Sequence, residues 1–298
     1  MSLLQTGEFY SIGCAVLWSA ATILFRKSGE HVPPVALNVF KNTVALVLFL
    51  ISLAVRGGPL APGEVPWQDW VVLLVSGAVG IGIADSLFLA SLNRLGAAGY
   101  AIVSSFYAPL VVLFSFVYLS EPLGPALILA TALMVGAILL GMWQPATPRS
   151  AADARRIASG VAIGVTSMLL MAVAIVFAKP VLDRTDPWWA TTVRLVGGLL
   201  LLAGQGVRPR HRRELATCFR PGPAWRVTVP AAVTGSYLAM IIWIIGMKYT
   251  FASTAAVLNQ TSTLFIVVFG WLFLHESVTR RKILAVAMAF GGAVIAVL

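Results

Sequence analysis

Two charged residues interrupt long apolar segments of this chain, where a charge is costly unless it is paired or functional. Lys41 lies between Asn38 and Asn42, and Asp85 lies within the run IGIADSLFLA. A helix would place Asn38, Lys41 and Asn42 on one face. We predict that Lys41 and Asp85 lie at similar depths in neighbouring antiparallel helices and form an ion pair.

Two roles are open for this predicted pair. It could be structural and close one end of a cavity, because buried charges are usually paired. Alternatively, Asp85 could carry a proton or bind a solute. Lys41 and Asp85 are therefore the candidate gating or coupling residues.

A second set of residues combines aromatic rings with uncharged hydrogen-bonding groups. Amides and hydroxyls can bind the carboxylate and ammonium of a zwitterion, while an aromatic face covers an apolar group. Asn259 and Gln260 align with Ser104 and Ser105, so we expect both polar pairs at one shared site. The alternative role of each group is a hydrogen bond between packed helices. The candidate substrate-binding residues are Trp18, Ser104, Ser105, Tyr107, Tyr237, Trp243, Asn259 and Gln260.

The segments that carry these residues are long and apolar enough to be membrane-spanning helices. Hydrophobic residues make up 59% of the 298 residues and charged residues 11%, against about 25% charged in a soluble domain. The apolar runs do not alternate as barrel strands do, and a spanning helix needs about 20 apolar residues. We predict an all-α integral membrane protein with ten transmembrane helices, at 9–27, 35–55, 70–92, 97–119, 124–142, 158–179, 187–204, 226–247, 252–274 and 280–297.

Positive charge is distributed unevenly among the predicted loops. The loops after odd-numbered helices hold most of the Lys and Arg, whereas the opposite loops hold only Arg56, Lys179, Arg184 and Lys248. Because such an excess marks the cytoplasmic side, we predict a multi-pass protein of the inner (plasma) membrane with both termini in the periplasm. The net charge of +10 is scattered over short loops, so nucleic acid is not an expected partner. The expected surroundings of the chain are the lipid bilayer.

The two halves of the chain align with each other in a common register. We therefore predict a five-helix repeat at 1–149 and a second at 150–298. An odd number of helices inverts the second repeat in the membrane, as in many secondary transporters. The aligned pairs include Phe25 with Phe177, Lys41 with Arg194, and Glu121 with Glu276.

Three aligned charges differ in their expected surroundings. Arg194 has no acidic partner, because Met240 stands where Asp85 stands in the first half. We expect Arg194 to extend toward the outer surface. Glu121 and Glu276 each precede a predicted helix, and we expect a carboxylate there to stabilise the positive end of the helix, with solute binding as the alternative.

The ends of both repeats resemble a known family. They read LNRLGAAGYAIVSSFYAPLVVLFSFVYLSEPLGPALILATALMVGAILL and GMKYTFASTAAVLNQTSTLFIVVFGWLFLHESVTRRKILAVAMAFGGAVIAVL. Both resemble repeats of the EamA type in the drug/metabolite transporter superfamily, and the length and aromatic content are similar to bacterial aromatic amino-acid exporters. The resemblance implies a ten-helix transporter with a central cavity. One departure is Pro109, which has Leu264 as its counterpart.

These observations predict a secondary transporter, which does not use ATP and exports amino acids or related small metabolites by alternating access. A multidrug exporter or an exporter of other metabolites is the alternative. An intramembrane transferase would need clustered acids for Mg²⁺, but Asp85 stands alone and His31, His211 and His275 lie in loops or at helix ends. The sequence therefore predicts neither an enzyme nor a bound cofactor or metal.

Overall fold

The computed structural model describes residues 3–60, 62–63, 65–142, 150–205, 215, 217–262, 265, 269 and 280–297. All regular structure in these ranges is helical, which confirms the predicted all-α class. The helices are α1 (Leu3–Ser28), α2 (Pro34–Val55), α3 (Trp67–Gly77), α4 (Asp85–Ser104), α5 (Tyr107–Leu119), α6 (Pro125–Met142), α7 (Ala151–Arg184), α8 (Pro187–Gln205), α9 (Trp225–Ala231), α10 (Met240–Tyr249), α11 (Ala252–Asn259) and α12 (Arg280–Val297).

Within the described ranges, five continuous helical stretches are long and apolar enough to cross a membrane. Three shorter apolar helices accompany them at Tyr107–Leu119, Pro125–Leu140 and Ile283–Ala296. These stretches support a multi-pass protein, while the count of ten helices stays a prediction. The five long stretches are Thr6–Ser28, Pro34–Val55, Trp67–Gly96, Ala151–Arg184 and Trp225–Tyr249.

Two π-helical segments interrupt long helices at matching places in the two halves. The segment π1 (Ala78–Ala84) joins α3 to α4, and π2 (Ala232–Ala239) joins α9 to α10. A π-segment widens the turn and changes which carbonyls are bonded within the helix. Both segments carry residues of the central cavity described below.

The predicted helix 97–119 is not continuous. Gly96 has a φ of 75° and bends α4, which ends at Ser104; α5 begins at Tyr107. Pro109 explains the break between Ser104 and Tyr107, because it has no N–H to donate to the carbonyl four residues earlier. The predicted helix 252–274 is also interrupted, since α11 stops at Asn259. Ser262, Phe265 and Phe269 are helical again, and most of the remainder lies outside the described residues.

The two halves pack on each other reciprocally. Helix α1 packs against α9, π2, α10 and α11, while α7 packs against α3, π1, α4 and α5. Helix α2 contacts π2 as α8 contacts π1, and α6 packs against α12. The contacts of α1 and of α2 with the second half thus have counterparts in those of α7 and α8 with the first half.

Glycines allow the closest approach between the halves. A Cβ on Gly77 of α3 would lie 1.8 Å from the carbonyl oxygen of Arg194, and a Cβ on Gly197 of α8 would lie 2.1 Å from that of Leu74. Only glycine fits at such distances. The close packing of α3 on α8 brings Arg194 beside π1, at the edge of the cavity.

Candidate functional site

A cavity of about 150 Å³ lies between the two halves. Eight of the ten residues that the sequence singled out line it. From the first half these are Trp18, Lys41, Asp85, Ser104 and Tyr107, and from the second half Trp243, Asn259 and Gln260.

The other two predicted residues lie outside this lining. The hydroxyl of Tyr237 is 2.7 Å from that of Ser52, and its ring packs against Phe49 and Trp188. Tyr237 therefore joins π2 to α2 and α8. Ser105 is buried at the interruption between α4 and α5, outside the cavity.

The predicted ion pair between Lys41 and Asp85 is confirmed. Lys41 Nζ donates to Asp85 Oδ2 at 2.6 Å, and the two side chains are 2% and 9% exposed. Lys41 Nζ also donates to Asn42 Oδ1 at 3.2 Å, and Asn42 Nδ2 donates to Asn38 Oδ1 at 2.7 Å. The pair thus belongs to a continuous polar network on one face of α2.

Asn38 connects this network to π1. Its amide nitrogen donates to the carbonyls of Ile81 at 2.8 Å and Gly82 at 3.2 Å, and to the hydroxyl of Ser86 at 2.9 Å. In a membrane, a backbone carbonyl that leaves the regular helical pattern needs an internal partner. Asn38 supplies that partner, and so α2 holds π1 in place beside the cavity.

Gln260 links the interrupted helices of the two halves. It directly follows α11, and its Nε2 donates to the carbonyl of Ser104 at 3.3 Å. Ser104 ends α4, and the last carbonyls of a helix have no partner within the helix. Gln260 is therefore both a cavity residue and a bridge across the interface.

Aromatic rings form two groups at the cavity. Tyr107 and Trp243 come from different halves, and their ring centroids are 6.3 Å apart. Trp18 packs against Phe88 at 5.7 Å, and Phe88 packs against Tyr100 at 4.9 Å. The rings of Trp18, Tyr100, Tyr107 and Trp243 line the cavity and can cover the apolar part of a solute, while Phe88 packs behind two of them.

Arg194 also lines the cavity, and the expectation that it extends toward the outer surface is wrong. The residue is 6% exposed, and its Nε donates to Ser76 Oγ at 3.2 Å. Ser76 in turn donates to the carbonyl of Ala174 at 2.7 Å. The close contact of α3 with α8 turns Arg194 inward. In the sequence, the alignment of Arg194 with Lys41 was the feature that indicated a position at the cavity.

Glu121 stabilises a helix end, but not that of the helix it precedes. Its carboxylate accepts hydrogen bonds from the backbone N–H groups of Ala252 at 2.8 Å and Ser253 at 3.0 Å, and from the Ser253 hydroxyl at 2.5 Å. These groups begin α11 in the other half. Glu121 therefore fixes the helix whose far end carries Asn259 and Gln260, while Glu276 lies outside the described residues.

The chain is similar to a transporter family and to individual known proteins. The model of the EamA-like transporter family matches twice, at residues 5–143 and 158–298. An uncharacterized transporter of Archaeoglobus fulgidus is 26% identical over 277 residues, covering 92% of this chain and 91% of that protein. Protein PecM of Dickeya dadantii is 24% identical over 249 residues, covering 82% and 77%. A crystal structure 19% identical has the same fold, with a TM-score of 0.77 over 98% of this chain and 96% of that chain.

The chain belongs to the EamA-like transporter family. It is a multi-pass membrane protein that transports small metabolites, and it is not an enzyme. The resemblance found in the sequence is thus confirmed, and the family unit occurs twice in the chain. The repeat boundaries at 149 and 150 stay a prediction.

The ion pair gives a prediction for stability. We expect Asp85→Asn to lower the free energy of unfolding by about 3–5 kcal/mol, because Lys41 would stay buried without its partner. The double variant Lys41→Met, Asp85→Leu should recover most of this loss. Unfolding of purified protein in detergent measures both effects, and Lys27→Met, at an exposed lysine of α1, is the control. Lys41→Met and Asp85→Leu, each made alone, complete the double-mutant cycle, and additive effects of these two substitutions would contradict a coupled pair.

Proposed function

We propose that this protein exports amino acids or related small metabolites from the cytoplasm, through the central cavity, by alternating access. One observation carries the proposal. Aromatic rings from both halves line the cavity, together with the amides of Asn259 and Gln260 and with the ion pair of Lys41 and Asp85, whose charges cancel. Such a lining suits a zwitterion with an apolar side chain better than a phosphorylated solute, which needs several cations.

The size of the cavity supports a small solute. Pockets for drug-sized ligands have volumes of about 300–1,000 Å³, whereas this cavity has about 150 Å³. An apolar protein cavity of about that volume takes up benzene. The volume therefore favours a metabolite over a multidrug substrate.

The paired irregularities of the two halves support alternating access. The π-segments match in position, and interruptions follow Ser104 in one half and Asn259 in the other. We propose that 1–149 and 150–298 are inverted five-helix repeats. Exchange of conformation between such repeats opens a central site to each side of the membrane in turn.

Lys41 and Asp85 are the proposed gating or coupling residues. Their pair lines the cavity, so a proton on Asp85 or a charged group of the solute would compete with it. Breaking the pair removes the 2.6 Å contact between α2 and α4, and the bond from Asn38 to Ser86 then remains between the two helices. Such a change would link an event in the cavity to helix movement.

Transport measurements test the site. We expect Trp18→Ala and Gln260→Leu to abolish uptake of a labelled amino-acid panel into liposomes, with and without a pH gradient, while the protein still folds and inserts. Trp18 loses an aromatic face, and Gln260 loses both a solute contact and its bond to Ser104. Trp67→Ala is the control, because Trp67 is 70% exposed. Normal rates and affinities in both folded cavity variants would refute this placement of the site.

Membrane orientation is tested separately. We propose an inner-membrane location with both termini in the periplasm, on the basis of the loop charges. A reporter that is active only in the periplasm, fused after Leu298, should therefore be active. Activity of a cytoplasm-only reporter at the same position would contradict the proposed orientation.

A further inference from the structure

Two residues that line the cavity each carry a buried polar atom with no hydrogen-bond partner among the described residues. These atoms are the hydroxyl oxygen of Ser236 and the amide oxygen Oδ1 of Asn259. Ser236 is 1% exposed. A buried acceptor that is left unpaired carries the full penalty of its desolvation, so such atoms in a native protein point to a partner supplied from elsewhere.

The cavity lining also includes a cation, Arg194, that forms no ion pair within the described part of the chain. The three ion pairs among the described residues join Lys41 to Asp85, Lys179 to Asp183, and Arg184 to Asp69. Arg194 is in none of them. Its guanidinium has five N–H donors, and its hydrogen bond within the described residues goes to Ser76.

The charges of the described residues that line the cavity therefore add up to an excess of one positive charge. Lys41 and Asp85 cancel, and Arg194 remains. Tyr100, Tyr107 and Cys14 are the other titratable residues of the lining, and each is neutral in its protonated form. A solute that enters such a site lowers its free energy most by presenting one carboxylate to the guanidinium, which binds carboxylates in a bidentate manner.

We infer that Arg194 binds the carboxylate of the solute and that Asn259 Oδ1 and Ser236 Oγ accept hydrogen bonds from its ammonium group. The site then selects molecules that carry both groups, over amines and over simple carboxylic acids. This inference rests on the proposed function, and it assigns the recognition of the two charged ends to residues of α8, α11 and π2. The rings of Trp18 and Tyr107 cover the remaining apolar part.

Equilibrium binding to the purified full-length protein tests this assignment with three matched probes. They are phenylalanine, its decarboxylated amine phenethylamine, and its deaminated acid 3-phenylpropionate. A charged hydrogen bond in a buried site changes affinity by about tenfold to a hundredfold. The wild type should therefore bind phenylalanine at least about tenfold more tightly than either analogue.

The variants should separate the two ends of the solute. Arg194→Gln should weaken phenylalanine binding by about tenfold or more and leave phenethylamine unchanged. Asn259→Leu and Ser236→Ala should weaken phenylalanine and leave 3-phenylpropionate unchanged. Arg194→Lys keeps the charge without the planar fork, so it should give an intermediate affinity for phenylalanine.

Two matched controls identify structural effects. Arg155→Gln removes an exposed arginine, and Ser115→Ala removes a hydroxyl that is buried and unpaired like that of Ser236 but lies outside the cavity lining. Neither should change binding of any probe. Thermal melting and size-exclusion chromatography establish that each variant is folded.

The outcomes distinguish this inference from the proposed function. Equal wild-type affinity for the three probes, or equal weakening of all three in folded Arg194→Gln, overturns the inference even if liposomes show amino-acid transport. If the liposome assay shows no amino-acid transport at all, the proposed function fails. The inference is supported if Arg194→Gln loses the preference for phenylalanine over phenethylamine and Asn259→Leu loses the preference for phenylalanine over 3-phenylpropionate.

Discussion

The ion pair between Lys41 and Asp85 determines how the first half is arranged around the cavity. Neither charge is stable alone at membrane depth, since an ion buried without a partner carries a penalty of several kcal/mol. Helix α2 must therefore place Lys41 against the start of α4. The same face of α2 carries Asn42 and Asn38, and Asn38 satisfies the carbonyls beside π1. One helix face thus fixes both the charges and the irregular backbone.

The need to pair buried polar groups also shapes the contact between the halves. At the cavity, by contrast, some polar groups stay unpaired. Gln260 bonds the last carbonyl of α4, and Glu121 bonds the first amides of α11. In contrast, Ser236 and Asn259 keep unpaired acceptors, and Arg194 has no acidic partner in the described part of the chain. Hydrogen-bonding capacity is thus left at the cavity, where a solute would bind. Among the described residues, the buried hydroxyls of Ser28 and Ser115, which lie outside the cavity lining, are unpaired as well.

Local patterns in the sequence were enough to predict the helical class and the pair of Lys41 with Asp85, because apolar length and helical spacing act within one segment. The interruption after Ser104 was missed, although the proline that follows gives a local reason for it. The positions of Arg194 and Glu121 could not be derived in this way. Arg194 turns inward because glycines let α3 approach α8, and Glu121 reaches across to α11; both depend on contacts between segments far apart in the chain.

The central claim is that a transported solute occupies the cavity lined by Trp18, Tyr107 and Gln260. An iodinated aromatic amino acid that competes with the transported solute can be located in crystals of the complex by the anomalous scattering of its iodine. Our account predicts an anomalous peak inside this cavity, beside the aromatic rings. A peak found only in the separate pocket lined by Glu121 and Lys248, or only on the outer surface, would contradict it.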